Sequence, residues 1–506
     1  MGKKYRQLIK TILISGMAFF VNYGINLVLV PFITASIGEE AYGFVSLSKE
    51  FATYAALITT AVNSFASRYI AVAYHKGNRK EANVYFSSVF FGDLAIGTVV
   101  LLAAIACIAF LEKLLNIPAG LITDVKILFL MIFLNFWVVT VFTAFSSAAF
   151  VVDKLDIVQL FKGISYVTEA AVLFFLYCFF PAKVFFVGIG LIAASLVVAL
   201  SDRWITARYL DGIRVSPSDF SFQALKRLVF DGIWSSFSSL GKILNQGLDL
   251  IVCNLMLSSL AMSQIAIAKT IDSIVHAVHF YISQAFQPMF LKSYAKEDKT
   301  QFLGELQVAM KVSGMFGALV FAGFTALGLS YYRLWIPGQD VELIYRLTVI
   351  TLATSIYVSV LTPLYYIYIL TVKRAFPSIV IVLGGFLNVL GMYLLIRYTG
   401  MGVYAVVWTT TVIEGVISYV SNPLYMAHVL GVPWYTFYPG LLRSTAAAAA
   451  ITVIFQGFAL LYSPDSWLTL LLAIVIYGSI GVVLYILLVC SKKDRTFLLG
   501  LLRRKR

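Results

Sequence analysis

The chain has 506 residues, of which 60% are hydrophobic, 15% aromatic and 12% charged, and its formal net charge is +14 at pH 7. Its mean hydropathy is +0.90. A soluble globular domain is excluded, because about a quarter of the residues in such domains are charged. Apolar stretches of 20 or more residues recur along the chain, and each is long enough to cross a bilayer as a helix. A transmembrane β-barrel is excluded as well, since its strands alternate with period two and contain only about 10 residues.

The predicted fold class is an all-α polytopic membrane protein with about fourteen transmembrane helices. The amino-terminal segment MGKKYRQLIK is basic like the start of a signal peptide, but no small-residue cleavage site follows the next apolar run. We therefore expect an uncleaved first span. Breaks rich in Gly, Pro, Asn and charged residues place the spans at residues 10–35, 41–71, 84–111, 123–150, 156–180, 183–208, 226–256, 260–290, 302–330, 342–370, 375–397, 402–428, 434–461 and 466–490.

The distribution of Lys and Arg predicts the orientation of these spans. Cytoplasmic loops carry an excess of basic residues, and fourteen spans with both termini inside place most of the Lys and Arg on that side. Because the basic residues are spread over every inner loop, they indicate topology and contact with anionic lipid rather than nucleic-acid binding. No loop is long enough for a catalytic domain, and the longest, around YLDGIRVSPSDFSFQ, is interpreted as a hinge between two halves.

An internal repeat relates those two halves. The segment NYGINLVL at residues 22–29 aligns with NQGLDLIV at 245–252, and SRYIAVAYHKGN at 67–78 aligns with QPMFLKSYAKED at 287–298. The offsets are 223 and 220 residues, so they are nearly constant along the chain. A repeat of six spans preserves orientation and predicts two lobes related by an axis along the membrane normal, with a site between them.

The second offset aligns Lys49 with Lys269, so each half supplies one lysine inside an apolar span. The predicted organisation is an N-terminal lobe of spans 1–6 at residues 1–208, a cytoplasmic linker at 209–225, a C-terminal lobe of spans 7–12 at 226–428, two additional spans at 434–490 and a basic cytoplasmic tail at 491–506.

Polar residues form stripes, here called the polar seams, along the second, seventh and eighth predicted spans. Their three-four spacing keeps each stripe on one helix face. The seams are Ser46, Lys49, Thr53, Thr60, Asn63 and Ser67; Asp231, Ser235, Ser238, Lys242, Asn245 and Asp249; and Lys269, Asp272, His276, His279, Ser283 and Gln287, with Ser15, Asn22 and Asn26 added by the first span.

The charged members of the seams indicate a water-filled cavity, because a charge near the bilayer centre costs at least about 2.5 to 3.5 kcal/mol. The serines and threonines alone are equally well explained by hydrogen bonding between helices. Lys49 could instead reach outward to the membrane interface, and Lys269 with Asp272 also fits an intrahelical pair. Glu50 cannot simply neutralise Lys49, since neighbouring helical residues point about 100° apart.

Other features carry weaker signals. His276 and His279 are the seam groups that titrate near neutral pH, which makes them proton-relay candidates. Phosphate-binding loops, paired catalytic carboxylates, nucleophile elbows and metal-ligand spacings are absent from the sequence, so neither an enzyme nor a cofactor is predicted. Four charged residues inside spans lack a comparable seam and suit a structural contact as well as a functional role: Asp93, Glu169, Lys311 and Glu414.

The stretch AYGFVSLSKEFATYAALITTAVNSFASRYIAVAYHKGNRKEANVYF resembles the second span and following loop of a known family. The family is the polysaccharide transporter branch of the multidrug/oligosaccharidyl-lipid/polysaccharide flippase superfamily. The motifs that carry the resemblance are an aromatic-glycine start at Tyr42 to Phe44, an Asn-Ser pair at Asn63 and Ser64, the Ala-Ser-Arg at Ala66 to Arg68 and the turn at Lys76 to Asn78.

The resemblance implies a flippase that moves a polyprenyl-diphosphate-linked oligosaccharide from the cytoplasmic to the outer leaflet by alternating access, for cell-surface polysaccharide biosynthesis. It implies a bacterial cytoplasmic membrane protein whose partners are that lipid-linked oligosaccharide, membrane lipids and polysaccharide assembly proteins, without nucleic acid. It also implies a cationic central cavity. The expected substrate-binding residues are Lys49, Lys269, Lys242, Asn22, Asn26, Asn63, Arg68 and Asn245, and the coupling candidates are Glu50, Asp249, Asp272, His276 and His279.

Two alternatives remain open at this point. A multidrug or cation extruder of the same superfamily, coupled to protons or sodium, would bind a cationic drug and would need a site dominated by carboxylates. A membrane polysaccharide polymerase or glycosyltransferase would need a large outer loop or a pair of catalytic acids. Buried lysines and fourteen spans favour the flippase.

Overall fold

The computed structural model describes residues 21, 23–151, 155–371 and 375–491, and all regular structure in this part of the chain is helical. This confirms the all-α class. The helices are α1 Tyr23–Ser36, α2 Glu39–His75, α3 Arg79–Ala109, α4 Leu111–Leu114, α5 Ile122–Val151, α6 Leu155–Phe179, α7 Phe186–Tyr209, α8 Phe222–Lys242, α9 Asp249–Met256, α10 Ser259–Ala295, α11 Lys299–Trp335, α12 Val341–Leu352, α13 Ser355–Leu361, α14 Tyr366–Leu370, α15 Ala375–Tyr398, α16 Val403–Val416, α17 Asn422–Leu430, α18 Tyr438–Leu461 and α19 Trp467–Val489.

Among these residues, 11 helices are long and apolar enough to cross a membrane, judged by length and composition. The predicted second span is the helix α2, and the predicted seventh span is α8 and α9 with a π-helical turn between them. Neither belongs to the eleven. The first predicted span lies partly outside the described residues. The multi-pass helical class is therefore established, and the count of fourteen stays a prediction.

The hairpins α2–α3 and α10–α11 match in the bounds of their first helices and in the start of their second helices. Helices α2 and α10 each contain 37 residues. The first residues of α2 and α10 are 220 positions apart, as are their last residues and the first residues of α3 and α11. The turn inside each hairpin also matches, because Gly77 with φ 79° and Glu297 with φ 58° occupy equivalent positions. Next to them, Asn78 and Asp298 accept the cap hydrogen bonds of α3 and α11.

The chain divides into two compact units, Met1–Ala266 and Ile267–Arg506. In the first unit, α2 packs against α3, α5 and α8 around a buried apolar cluster. The crossing of α2 and α8 is close, since a Cβ on Gly232 would lie only 1.9 Å from the carbonyl oxygen of Ala61. Glycine at this position therefore permits the two backbones to touch.

The linker predicted at 209–225 lies inside the first unit and is bound to α3. The backbone N–H of Arg214 donates to Asn83 Oδ1 at 2.7 Å, and the N–H of Ser216 donates to Ser87 Oγ at 3.2 Å. The N–H of Ser221 donates to the Oγ of Ser88 at 2.9 Å. The segment that the sequence indicated as a hinge is thus attached to α3 by its own backbone donors.

In the second unit, α11 is the central helix and packs against α12, α13, α18 and α19. Two apolar clusters surround it, one with α13 and α17 and one with α18 and α19. Small residues allow the close approach, because a Cβ on Gly317 would meet Ser359 Oγ at 2.1 Å. Between α18 and α19, the buried hydroxyls of Ser444 and Tyr485 are hydrogen-bonded to each other at 2.8 Å.

Candidate functional site

Lys49 lies on α2 and is partly buried. Its charge interacts with that of Glu169 on α6, a residue that is only 7% exposed. An opposite charge offsets part of the cost of removing an ammonium group from water. The sequence did not predict this partner, because Glu169 is an isolated acid in an apolar span. The only signal was that such residues usually face a partner or a cavity.

A second group of polar side chains lies where α2 meets the π-helical turn Ile243–Gly247. Tyr54 Oη donates a hydrogen bond to the carbonyl oxygen of Gly247. The charges of Glu50 and Asp249 both act on the Tyr54 hydroxyl. A π-turn widens the helix and is frequent at functional sites. The structure therefore brings together two of the predicted coupling candidates, and it adds Tyr54, which the seam pattern missed.

Asn245, within the π-helical turn, is 7% exposed, and Asp249 just after it is 3% exposed. Lys242 is exposed at the carboxyl end of α8. Asn26 on α1 is partly buried. Asn22 lies outside the described residues.

Asn63 and Arg68 occupy different environments on α2. Asn63 Nδ2 donates to Asp93 Oδ1 on α3 at 3.3 Å. Arg68 is exposed, and its guanidinium carbon is 6.0 Å from the ring centroid of Phe65. Asn63 therefore belongs to a buried polar pair that the seam did not reveal, whereas Arg68 lies at the surface of the first unit.

In the second unit, the seam of α10 forms a local charge cluster. His276 Nε2 is 3.6 Å from Asp272 Oδ1, and the charge of Lys269 also acts on Asp272. His279 is 1% exposed, and its ring packs edge-on against Phe316 at 5.0 Å. Lys269 and His276 thus both act electrostatically on Asp272, the residue that the sequence paired with Lys269.

A second acid of the second unit acts on the same tyrosine as Asp272. Glu414 on α16 acts electrostatically on Tyr357 and Tyr365, and Asp272 also acts on Tyr357. Tyr357 Oη donates to the carbonyl oxygen of Thr411 at 2.9 Å. Two acids on separate helices, Glu414 on α16 and Asp272 on α10, therefore both act electrostatically on Tyr357. Spacing along one helix could not reveal it, since the groups come from three helices.

These features define a multi-pass helical membrane protein in which charged side chains are paired inside apolar helices. Within the described residues, no group of three or more His, Cys, Asp or Glu side chains is arranged to hold a metal ion. The chain belongs to the family described as polysaccharide biosynthesis protein, whose model matches residues 8–294. It is 24% identical over 487 residues to the uncharacterized membrane protein EpsK of Bacillus subtilis (strain 168), covering 96% of each chain.

Solved structures with a similar fold include an inward-facing multidrug resistance MATE family transporter of the MOP superfamily, with a TM-score of 0.65 and 14% identity over 83% of this chain and 98% of that one. The lipid II flippase MurJ in an inward closed conformation gives a TM-score of 0.63 and 14% identity over 95% and 99%. At this identity the likeness concerns the fold. Together with the family match, it confirms the predicted resemblance to the polysaccharide branch of this superfamily.

Proposed function

We propose that the protein is a flippase that translocates a polyprenyl-diphosphate-linked oligosaccharide from the cytoplasmic to the outer leaflet by alternating access, for cell-surface polysaccharide biosynthesis. The proposal extends the family membership, which concerns polysaccharide biosynthesis in general, to one class of substrate. The flippase named MurJ among proteins of similar fold supports it.

The observation that carries the proposal is the position of Lys49 and Lys269. They stand at the same place in α2 and α10, two helices of equal length whose bounds differ by the same 220 residues. Each ammonium interacts with one carboxylate, that of Glu169 or of Asp272. A diphosphate carries more negative charge than one carboxylate and offers more acceptor oxygens, so it can compete for these lysines. A lysine follows moving phosphate oxygens without requiring one fixed geometry.

The proposed organisation keeps two repeated lobes at residues 1–208 and 226–428, two further helices at 434–490 and both termini in the cytoplasm of a bacterial cell. The matching hairpin bounds support the repeat. The proposed cavity residues beside the two lysines are Lys242, Asn22, Asn26, Asn63, Arg68 and Asn245. The proposed coupling groups are Glu50, Asp249, Asp272, His276 and His279.

Native mass spectrometry of gently purified protein tests the substrate class. The expected result is a co-purified lipid whose mass and fragments match a polyprenyl diphosphate bearing sugars. Proteoliposomes that contain the protein should then move a labelled lipid-linked oligosaccharide across the bilayer, while liposomes without protein should not. Absence of both signals from folded protein would contradict the proposal.

A multidrug extruder is the second candidate, and one observation favours it. Glu50 and Asp249 both act on Tyr54, and two acids around a tyrosine suit an organic cation. The multidrug transporter of similar fold is consistent with this. Drug-dependent proton release by the purified protein, without a bound lipid-linked sugar, would decide for the extruder. A polymerase or glycosyltransferase would instead show sugar transfer without translocation.

A further inference from the structure

A buried acid-amide pair lies between α2 and α3, apart from the lysines. Asp93 is 0% exposed, and its Oδ1 accepts the hydrogen bond from Asn63 Nδ2 at 3.3 Å. Within the part of the chain that the structure describes, the second oxygen of each group, Asn63 Oδ1 and Asp93 Oδ2, is buried and receives no hydrogen bond. Two buried acceptors therefore lack a donor at the same place.

The charges on neighbouring elements do not compensate Asp93. Helix α3 packs against α2, α5, α8 and the linker. Among the described residues, only the Asn63 amide stabilises the ionised Asp93 carboxylate. The titratable and charged groups on the packed elements are Glu39, Glu40, Tyr42, Lys49, Glu50, Tyr54, Arg68, Tyr69, Tyr74 and His75 of α2; Asp124 and Lys126 of α5; Tyr209, Asp211, Arg214 and Asp219 of the linker; and Lys226, Arg227, Asp231 and Lys242 of α8.

Several of these groups are engaged elsewhere. Asp219 accepts from Asn83, and Tyr69 donates to Asp231. The Arg227 guanidinium carbon is 5.2 Å from the centre of the Tyr69 ring. An ionised Asp93 would thus be a buried carboxylate with one neutral donor, an arrangement that costs several kcal/mol and is normally relieved by neutralisation.

Protonation of Asp93 supplies the hydrogen-bond donor that the acid-amide pair lacks. Protonated Asp93 carries an O–H donor, and an amide that faces a carboxylic acid can exchange two hydrogen bonds with it, N–H to one oxygen and O–H to the amide oxygen. Binding this proton changes the charge of the carboxyl group from −1 to zero, and no other species is needed. A hard metal cation fits less well, because such ions gather about six oxygen ligands.

We propose that Asp93, held by Asn63, is a reversible proton-binding site of this transporter, and that its loading and unloading couples transport to a proton gradient. The coupling rests on the proposed flippase function, whereas proton binding does not. The site lies beside the close crossing of α2 and α8, since Ser64, next to Asn63, lies against Gly232.

Infrared difference spectroscopy of the purified protein during a pH titration measures the proton directly. The wild type should show a carboxylic acid carbonyl band that shifts in D2O and titrates, and Asp93→Asn should lack it. Asn63→Leu should move the midpoint of the band, because the amide partner is gone, and Asp93→Glu should restore a titrating band. Asp202→Asn is the matched control, since Asp202 is 1% exposed and accepts from Ser146. It should keep the Asp93 band.

Proteoliposomes with an imposed pH gradient test the coupling. Flipping of a labelled lipid-linked oligosaccharide by the wild type should respond to the gradient, and Asp93→Asn should lose that response while Asp202→Asn retains it. An unchanged infrared band in Asp93→Asn overturns the proton site, and an unchanged gradient response in that variant overturns its coupling role. If no variant flips this lipid but the Asp93 band titrates as expected, the proposed substrate fails and the proton site stands.

Discussion

The hairpins α2–α3 and α10–α11 share the bounds of their first helices and the start of their second helices at an offset of 220 residues, but they differ in the groups between their helices. In the first hairpin, Asn63 and Asp93 form the acid-amide pair. The same offset leads to Ser283 and Ser313 in the second, where they are 2% and 0% exposed. Within the described residues both serine hydroxyls lack a hydrogen-bond partner, and neither carries a charge.

The two hairpins thus share a backbone framework and differ in the polar groups that lie between their helices. Both hairpins have a first helix of 37 residues, a positive φ in the turn and one lysine at the same position. Only the first has a carboxyl group between its two helices at the offset position. If the proposals above hold, equivalent lysines on α2 and α10 bind the substrate, whereas the proton site at Asp93 has no counterpart at the offset position of the second hairpin.

The largest expected effect comes from removing the positive charges of Lys49 and Lys269, which the two hairpins share. Lys49→Gln and Lys269→Gln should each lower the flipping rate about tenfold, or about 1.4 kcal/mol, and the double change should nearly abolish flipping. The reason is that each ammonium offsets part of the diphosphate charge in a low-dielectric region. Translocation of a labelled lipid-linked oligosaccharide in proteoliposomes measures the rate.

Lys→Arg at either position should be milder, because the positive charge remains. Protein amount and thermal midpoint serve as the controls for folding and insertion. Wild-type flipping by a stable double Gln variant would show that the lysines only contact the membrane interface.

Introducing an acid-amide pair at Ser313 and Ser283 of the second hairpin tests the feature in which the two hairpins differ. Ser313→Asp alone should lower the free energy of unfolding by about 2 to 4 kcal/mol at neutral pH, because it buries a carboxyl group without a partner. Adding Ser283→Asn should recover part of this loss by supplying the amide. Thermal midpoints in detergent, compared at neutral and acidic pH, provide the readout. Equal stability of the single and double variants at neutral pH would contradict the equivalence of the two positions.

The histidines of α10 test whether the second unit also contributes to the pH response. Because His276 lies 3.6 Å from Asp272, removing His276 and His279 together should reduce flipping and blunt its pH dependence only partly. Asp93→Asn should remove the gradient response completely. Flipping as a function of pH in both backgrounds measures the difference. Unchanged pH dependence in His276→Ala with His279→Ala would assign these side chains to packing or to substrate hydrogen bonding.

The smallest effect concerns the turns. Glu297 adopts a positive φ of 58° that glycine tolerates better, so Glu297→Gly should leave stability equal or raise it by up to about 1 kcal/mol. Gly77→Glu should cost about 1 kcal/mol at the matching position. Thermal midpoints of the two variants provide the test. A loss of stability in Glu297→Gly would show that the Glu297 side chain has a contact of its own worth more than the backbone strain.

Sequence patterns predicted the helical class, most helix positions and the grouping of polar residues on α2 and α10. These features follow from local hydrophobicity and from helical spacing, which a single chain displays directly. The same spacing also indicated the electrostatic interaction of Lys269 with Asp272, because the two residues lie three positions apart on one helix.

Partners on other helices could not be predicted in this way. Glu169 is 120 residues from Lys49, and Asp93 is 30 residues from Asn63, so only the packing of helices joins them. The break between α8 and α9 was also missed, since the apolar run continues through residues 226–256 without a proline. Such features depend on tertiary contacts that override local pattern.

The attachment of the linker to α3 has a consequence for biosynthesis. Asn83, Ser87 and Ser88 receive backbone donors that come from residues 214 to 221, and the close contact of Ala61 requires Gly232. During translation these side chains can accept those hydrogen bonds only after a segment more than a hundred residues later in the chain has been synthesised. A ribosome-bound chain that stops at residue 208 would leave α2 and α3 with open surfaces, so the first unit completes its packing only after α8 has been synthesised.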